Sequence, residues 1–211
     1  MSIGARVRAA FGPYEPVVSN IWRSMFVDVA DWTKVVADWC PKPRRILEVG
    51  CGEGYSTARL VETYPGVPLD AIDIAGNIGR LYDGPIGAAN FRIAYVEEIA
   101  KEAPAAYDLV VLSDVLHHVP AVQRLSLLEA IRAVVAPGGT LAVKDWHRAP
   151  TKPVHWAVYA SDRYLTGDCV AYLRREEARA LLGDIFGADN ITAEASIRPW
   201  TNNYAFRIQR R

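Results

Sequence analysis

Residues Ile46 to Thr57, ILEVGCGEGYST, constrain the fold of this chain more than any other stretch. A short apolar run, Ile46-Leu47-Glu48-Val49, breaks into glycines at alternate positions, Gly50, Gly52 and Gly54, and a helical pattern follows from Tyr55. A strand that turns through glycines into a helix opens a nucleotide-binding α/β domain, because glycine accepts positive φ and lets a ligand approach the backbone. Backbone N–H groups at the turn and helix start can receive polar ligand groups. A dinucleotide fingerprint, G-x-G-x-x-G, is not met: counted from Gly50, the third glycine comes one residue early and Tyr55 occupies its place. Glu48, two residues before the turn, is an acid where a pyrophosphate loop would gain least from one.

At 211 residues the chain suits one domain, 1–211, with a sizeable core. It has 24 basic and 24 acidic residues, which argues against a nucleic-acid partner, since such proteins carry a basic excess or stripe. No apolar run approaches the ~20 residues that span a bilayer, so stable membrane insertion is not expected. The N-terminal sixteen residues lack the apolar centre of a secretory signal. Cys40, Cys51 and Cys169 are odd in number and far apart, which suggests neither a disulfide framework nor a metal cluster and suits the cytoplasm.

Apolar residues from Val17 to Cys40 recur at three- and four-residue steps, an amphipathic helical pattern with a break near Asp28, ended by Pro41 and Pro43. Its plain role is to cover the sheet. Pro68 to Ile74 reads as a second strand ending in Asp73, nineteen residues after Gly54, where an acid accepts both ribose hydroxyls of a nucleotide. Gly79 to Tyr82 falls in a short helix or its exit. Asn90 to Val96 alternates as a third strand, and Tyr107 to Asp114 is a near-continuous apolar run expected of a central parallel strand. Strand C-termini line the ligand crevice of such sheets, which brings Ser113, Asp114, His117 and His118 near a reaction centre. A histidine of such a pair can equally serve only to bond a loop carbonyl.

Leu125 to Val135 reads as a helix, Ala136-Pro137-Gly138-Gly139-Thr140 as a tight turn, and Leu141 to Trp146 as a fifth strand. Its polar end, Lys144-Asp145-Trp146-His147, is either a satisfied Lys144–Asp145 ion pair or a general base for an acceptor hydroxyl. Residues 147–173 carry His147, His155, Trp156, Tyr159 and Tyr164, and read either as a lid that excludes water or as a helical hairpin packed on the sheet. A helix over 174–186 and two strands, Ile191 to Ile197 and Tyr204 to Ile208, close the chain.

The E-x-G-x-G-x-G turn, the strand-ending Asp73, the His117-His118 pair after the fourth strand and the P-G-G turn, in that order, resemble the class I S-adenosylmethionine (SAM)-dependent methyltransferases, including the ubiquinone/menaquinone-type members. The resemblance implies a doubly wound α/β fold, a seven-stranded, mainly parallel sheet with an antiparallel C-terminal edge hairpin. It implies cap helices over about 15–40, from which Tyr14 and Arg23 reach the ligand or stay on the surface, and a lid over about 147–173. It implies SAM as cofactor: Gly50, Cys51, Gly52 and Gly54 shape the loop around the methionine part, Glu48 orients that loop or the amino end, and Asp73 with Ile74 meets the ribose side. Backbone groups of Ser113 and Asp114 support the methionine part. The family often ends its third strand in Asp, whereas Tyr95-Val96-Glu97 stands here, so adenine recognition falls to backbone near Val96 or to Glu97.

The reaction so implied is in-line methyl transfer to a small organic acceptor, with His118, His117, His147 or Asp145 as base where the nucleophile is a hydroxyl or acidic carbon. No metal is implied, because the histidines and acids lack a ligand spacing. The partner is a small-molecule acceptor, and a homodimer is allowed. The rivals are an enzyme that keeps SAM for other chemistry, a non-catalytic SAM-binding module, and a nucleotide-dependent oxidoreductase.

Overall fold

A computed structural model describes residues 27–147 and 170–211. Among the described residues one helix precedes the glycine turn, α1 (Val29–Trp39). Then come β1 (Ile46–Val49), α2 (Tyr55–Thr63), β2 (Leu69–Asp73), β3 (Asn90–Ile93), α3 (Val96–Glu102) and β4 (Tyr107–Ser113). The chain continues with α4 (Ala121–Val134), β5 (Val135–Trp146), α5 (Arg175–Phe186), β6 (Ile191–Ser196) and β7 (Asn203–Gln209). The strands form one seven-stranded sheet in the order β3-β2-β1-β4-β5-β7-β6. β1 to β5 run parallel, and β7 lies antiparallel between β5 and β6. The expected sheet and closing hairpin are borne out.

Strand alternation divides the core into two layers. Leu47, Val49, Val110, Leu112, Leu141 and Val143 pack with Ile99, Leu128, Ile131 and Leu182 of α3, α4 and α5 on one face. Ile46, Leu109, Val111 and Ala142 meet Trp32 and Val36 of α1 and Leu60 and Val61 of α2 on the other. Burying a side chain of this size stabilises by ~1.5–3 kcal/mol, so both faces of β1 and β4 are committed to packing. Only the strand ends remain for chemistry.

Local chemistry sets the boundaries. The expected helix break near Asp28 is an N-cap, where the Asp28 carboxylate accepts the Asp31 N–H at 2.9 Å; the rest of the expected cap, including Tyr14 and Arg23, lies outside the described residues. The third strand stops at Ile93, three residues sooner than its alternation suggests. Val96 instead opens α3, whose first turn holds Glu97 and Glu98, acids that favour a helix N-terminus. Gly79 to Tyr82 forms turns rather than a helix. α4 begins at Ala121, earlier than expected, directly after Pro120.

The Pro-Gly-Gly segment is not a separate turn. β5 runs from Val135 through it, and its pairing slips from Tyr107↔Val135 to Leu109↔Thr140. Gly138 at φ 75° lets the surplus residues bulge, while Gly138 N–H and Gly139 C=O still bond Arg210. α5 starts where the Glu177 carboxylate accepts the Arg174 N–H at 2.8 Å. Among the described residues no helix is long and apolar enough to cross a membrane.

Candidate active site

The C-terminal ends of β1, β2, β4 and β5 share one edge of the sheet, and the expected site residues gather there in two groups. The first is the glycine turn. Gly50, Gly52 and Gly54 all take positive φ, at 79°, 51° and 91°. Gly50 and Cys51 N–H groups donate to the Ile72 carbonyl at 2.8 and 3.1 Å, and Gly52 N–H donates to Asp73 Oδ2 at 2.8 Å. The turn is therefore clasped to the end of β2. A Cβ on Gly52 would meet nothing within 4 Å, so open space borders the loop there, whereas one on Gly54 would lie 3.0 Å from Gly79 Cα.

Glu48 faces α2 rather than the crevice. Its buried carboxylate accepts the Ser56 hydroxyl and, at 2.6 Å, the Thr57 hydroxyl, tying the first turn of α2 to β1. Burial pushes this carboxyl above the ordinary range, and the two hydroxyls oppose that push. Cys51 is buried as well. Burial, with the charges of Glu48 and Asp73, pushes its thiol far up, which makes it unreactive.

Asp73 Oδ1 accepts the Ala75 N–H at 2.8 Å, and each carboxylate oxygen retains a lone pair for another donor. Ile74 beside it is 65% exposed, an uncovered apolar side chain next to the acid. Val96 is buried at the start of α3, and Glu97 accepts from Ser126 at 3.3 Å. Glu53 was not singled out in the sequence: its carboxylate meets Arg80 at 2.8 Å and Asn77 at 2.7 Å, so residues 77–82 fold over the glycine turn.

The second group surrounds the ends of β4 and β5. Lys144 and Asp145 are not each other's partners, because adjacent strand residues point to opposite faces. Fully buried Lys144 places Nζ 2.7 and 2.8 Å from the two oxygens of Asp114. Asp114 holds φ 57° and donates its N–H to the Lys144 carbonyl, while Ser113 Oγ lies 3.3 Å from its carboxylate. On the other face, Asp145 Oδ1 lies 2.6 Å from His117 Nδ1 and Oδ2 accepts the His117 N–H at 3.1 Å, with both residues buried.

Burial alone would raise the Asp145 carboxyl. The His117 charge and hydrogen bond, the Trp146 N–H and the Lys144 ammonium together bring it below the usual range. An ionised carboxylate only accepts, so the tautomer assigned to this bond carries its proton on Nδ1. The His117 ring stacks on Tyr172 with centroids 5.4 Å apart and meets His118, which is exposed, at 4.1 Å. Trp146 joins this group 4.6 Å from Tyr172. His147 has different described partners: it exchanges backbone and side-chain bonds with Asn202 and stacks at 6.5 Å on Tyr204. Donor atoms of Asp114, His117 and Asp145 lie within 4.8 Å of one another. Two of these donors are already engaged, Asp114 by the Lys144 ammonium and Asp145 by His117.

Tyr172, Arg124 and the Lys144–Asp114 pairing are further contacts around this group that sequence reasoning missed. Tyr172 falls at the end of the expected lid, whose residues 148–169, with His155, Trp156, Tyr159 and Tyr164, lie outside the described set.

A glycine turn clasped to a strand-ending acid, beside a buried His–Asp pair on the same edge of a β3-β2-β1-β4-β5-β7-β6 sheet, defines a class I, Rossmann-like methyltransferase architecture. Residues 21–191 match the family model for a methyltransferase domain, and the chain belongs to that family. The ubiquinone biosynthesis O-methyltransferase of Xanthomonas campestris pv. campestris is 32% identical over 110 residues, which is 50% of this chain and 44% of that protein. The match thus spans less than half of that relative's length.

The fold also resembles that of an O-methyltransferase family protein from Burkholderia thailandensis, at TM-score 0.69 and 16% identity, covering 98% of this chain and 60% of that one. It resembles the N-methyltransferase NodS of Bradyrhizobium japonicum, solved with S-adenosyl-L-homocysteine, at TM-score 0.60 and 16% identity, covering 84% of each chain.

Proposed function

We propose that this chain binds SAM along the β1–β2 edge and methylates a hydroxyl of a small organic acceptor, with the Asp145–His117 pair as the base. The observation that carries the reading is that buried pair, set on the same sheet edge as the Asp73-clasped glycine turn. The residues fit the cofactor: open space beside Gly52, a carboxylate with acceptor capacity at Asp73 and the exposed Ile74 lie together. Gly50, Gly52 and Gly54 would hold the methionine part, Asp73 the ribose, and Ser113 and Asp114 the far end of the methionine part. When bound, SAM supplies a methyl group already activated on a sulfonium.

The protein's own work is then alignment, exclusion of water and removal of one proton. His117 Nε2 takes the acceptor hydroxyl's proton, and the buried Asp145 carboxylate stabilises the imidazolium that forms. Trp146, Tyr172 and His118 provide flat surfaces for the acceptor. The balanced charge of the chain supports a small acceptor over nucleic acid. The same reading takes residues 1–211 as one domain with a cap and a lid, located in the cytoplasm, and allows a homodimer.

Calorimetric titration with SAM, S-adenosylhomocysteine and NAD, repeated on Asp73→Ala, tests the reading. Micromolar binding of the first two, weakened at least tenfold by the substitution, is expected, since a charge-assisted bond contributes about 1.5–3 kcal/mol. Binding of NAD alone, or of none of the three, sinks it. Product mass from an acceptor screen then separates methylation from other SAM chemistry.

A further inference from the structure

Arg124 stands on the first turn of α4, yet it is only 6% exposed. Its Nε donates to the Leu116 carbonyl at 3.1 Å and to the Val119 carbonyl at 3.0 Å. Those two residues bracket the His117-His118 pair. Its Nη2 donates to the Ala171 carbonyl at 2.5 Å, 47 residues further along the chain. Ala171 in turn donates its N–H to the His117 carbonyl at 2.8 Å, and the next residue, Tyr172, stacks on the His117 ring.

Among the described residues no carboxylate lies within ion-pair range of Arg124. A buried guanidinium without an acid is costly unless its donors are spent on well-placed acceptors. Here they are spent on three carbonyls that belong to the two segments flanking His117. A planar fork spans both segments in one fixed geometry, where an ammonium is a compact point charge on a flexible stem.

We propose that Arg124 is a positioning residue of the reaction centre: its guanidinium holds the His117–His118 turn and the Ala171–Tyr172 segment as one unit, so that Tyr172 caps the His117 imidazole. The inference rests on the proposed role of His117. Without the tie, the β4–α4 turn stays attached to Asp145 through His117 itself, while the segment bearing Tyr172 keeps its direct bonds, among them Ala171 N–H to the His117 carbonyl and the Tyr204 hydroxyl to the Leu173 carbonyl, but loses the charged donor that locks it to the turn and loosens there. The pair then loses its cap and water reaches the ring.

The test compares the wild type with Arg124→Ala, Arg124→Lys and Arg132→Ala by amide hydrogen exchange and by NMR of the histidine and tyrosine rings. Arg132 is the control: it sits on the same helix and, among the described residues, donates to the Ile185 carbonyl, at 3.1 Å, away from the histidine turn. In Arg124→Ala the Ala171 amide exchanges about tenfold to a hundredfold faster, the range set by losing a charged hydrogen bond, and the ring contact between His117 and Tyr172 disappears. Millimolar guanidinium restores both.

Arg124→Lys keeps the charge and fails in the same way, and it carries the test if the alanine variant does not fold. Arg132→Ala leaves both signals as in the wild type. Unchanged Ala171 exchange in Arg124→Ala overturns the proposal. So does a loss that guanidinium does not reverse and that Arg132→Ala shares. Titration of the wild type with S-adenosylhomocysteine is run alongside. No binding there would count against methyl transfer, whereas the Ala171 exchange decides the Arg124 tie separately.

Discussion

Replacing Gly50 by alanine probes the joint between the glycine turn and the histidine-bearing loop. Gly50 lies at φ 79°, and a Cβ there would come within 2.2 Å of Val115 Cγ2. Gly52 lies at φ 51° with open space on that side. Both substitutions place a side chain in the left-handed region, at ~1–2 kcal/mol each. Only Gly50→Ala also overpacks a neighbour, which adds ~1–3 kcal/mol. Gly52→Ala should therefore lose ~1–2 kcal/mol and Gly50→Ala ~2–5 kcal/mol, the sum of the two ranges.

Trimming Val115 to alanine in the Gly50→Ala background should return the overpacking share, a coupling of ~1–3 kcal/mol in a double-mutant cycle. Urea unfolding at constant m-value gives the free energies. Calorimetry with S-adenosylhomocysteine on the same proteins gives the functional side. Val115 stands two residues before His117, so Gly50→Ala displaces the reaction loop as well as the cofactor loop, whereas Gly52→Ala disturbs only the latter. If Gly50→Ala is no less stable than Gly52→Ala, or if Val115→Ala brings no relief, the close approach of β1 and β4 loops is refuted.

Three further outcomes follow from the buried charges. Lys144 is fully buried while the Asp114 side chain is 32% exposed. Asp114→Asn, which tolerates the left-handed backbone, should therefore cost ~3–5 kcal/mol by stranding the ammonium, and Lys144→Met only ~1–2 kcal/mol, because the acid can turn to water; equal losses in urea unfolding would contradict this. Asp145→Asn should lower kcat by about a hundredfold or more with S-adenosylhomocysteine affinity unchanged, measured once an acceptor is found; a parallel loss of affinity would instead mark Asp145 as a cofactor-site residue. The acids titrate with opposite sign. The folded-state pKa of Asp145 is depressed, so its contribution is present above the unfolded value of about 3.9 and is lost as pH falls through the lower folded value. That of Glu48 is raised, so its contribution is present below the unfolded value of about 4.3 and is lost as pH rises through the higher folded value. In pH-dependent unfolding, Asp145→Asn should flatten the acid limb and Glu48→Gln the slope above it; no change in either limb would refute the assigned shifts.

Much of the fold was legible because its signals are local. Alternation in β1 and β4, glycines where φ must be positive, and Asp73 at a strand end can each be read from neighbouring residues. Where tertiary contacts overrode local preference, reading failed: Asn90 to Val96 alternates to its end, yet Val96 leaves the sheet for a helix start with two acids behind it. The Pro-Gly-Gly segment has turn chemistry, yet Arg210, remote in sequence, holds it as a bulge within β5. Among site residues, Glu48 was noticed as an odd acid, but its partners, Ser56 and Thr57, are set by how α2 folds back onto β1.

By itself the sequence determined most of the strands and helices, their order along the chain and which strand ends carry polar groups, since periodicity and turn chemistry act over a few residues, while the sheet they form was implied by the resemblance. Only the tertiary structure decided the pairings among those groups. Lys144 and Asp145 are adjacent in the chain, but the two-residue period of a strand sends one to Asp114 and the other to His117. Arg124 looks like an exposed helix residue until the Ala171 carbonyl returns from 47 positions away to accept its hydrogen bond. A hydrogen bond depends on where two groups meet in space, and for groups so far apart in sequence only the packed sheet and its helices fix that meeting.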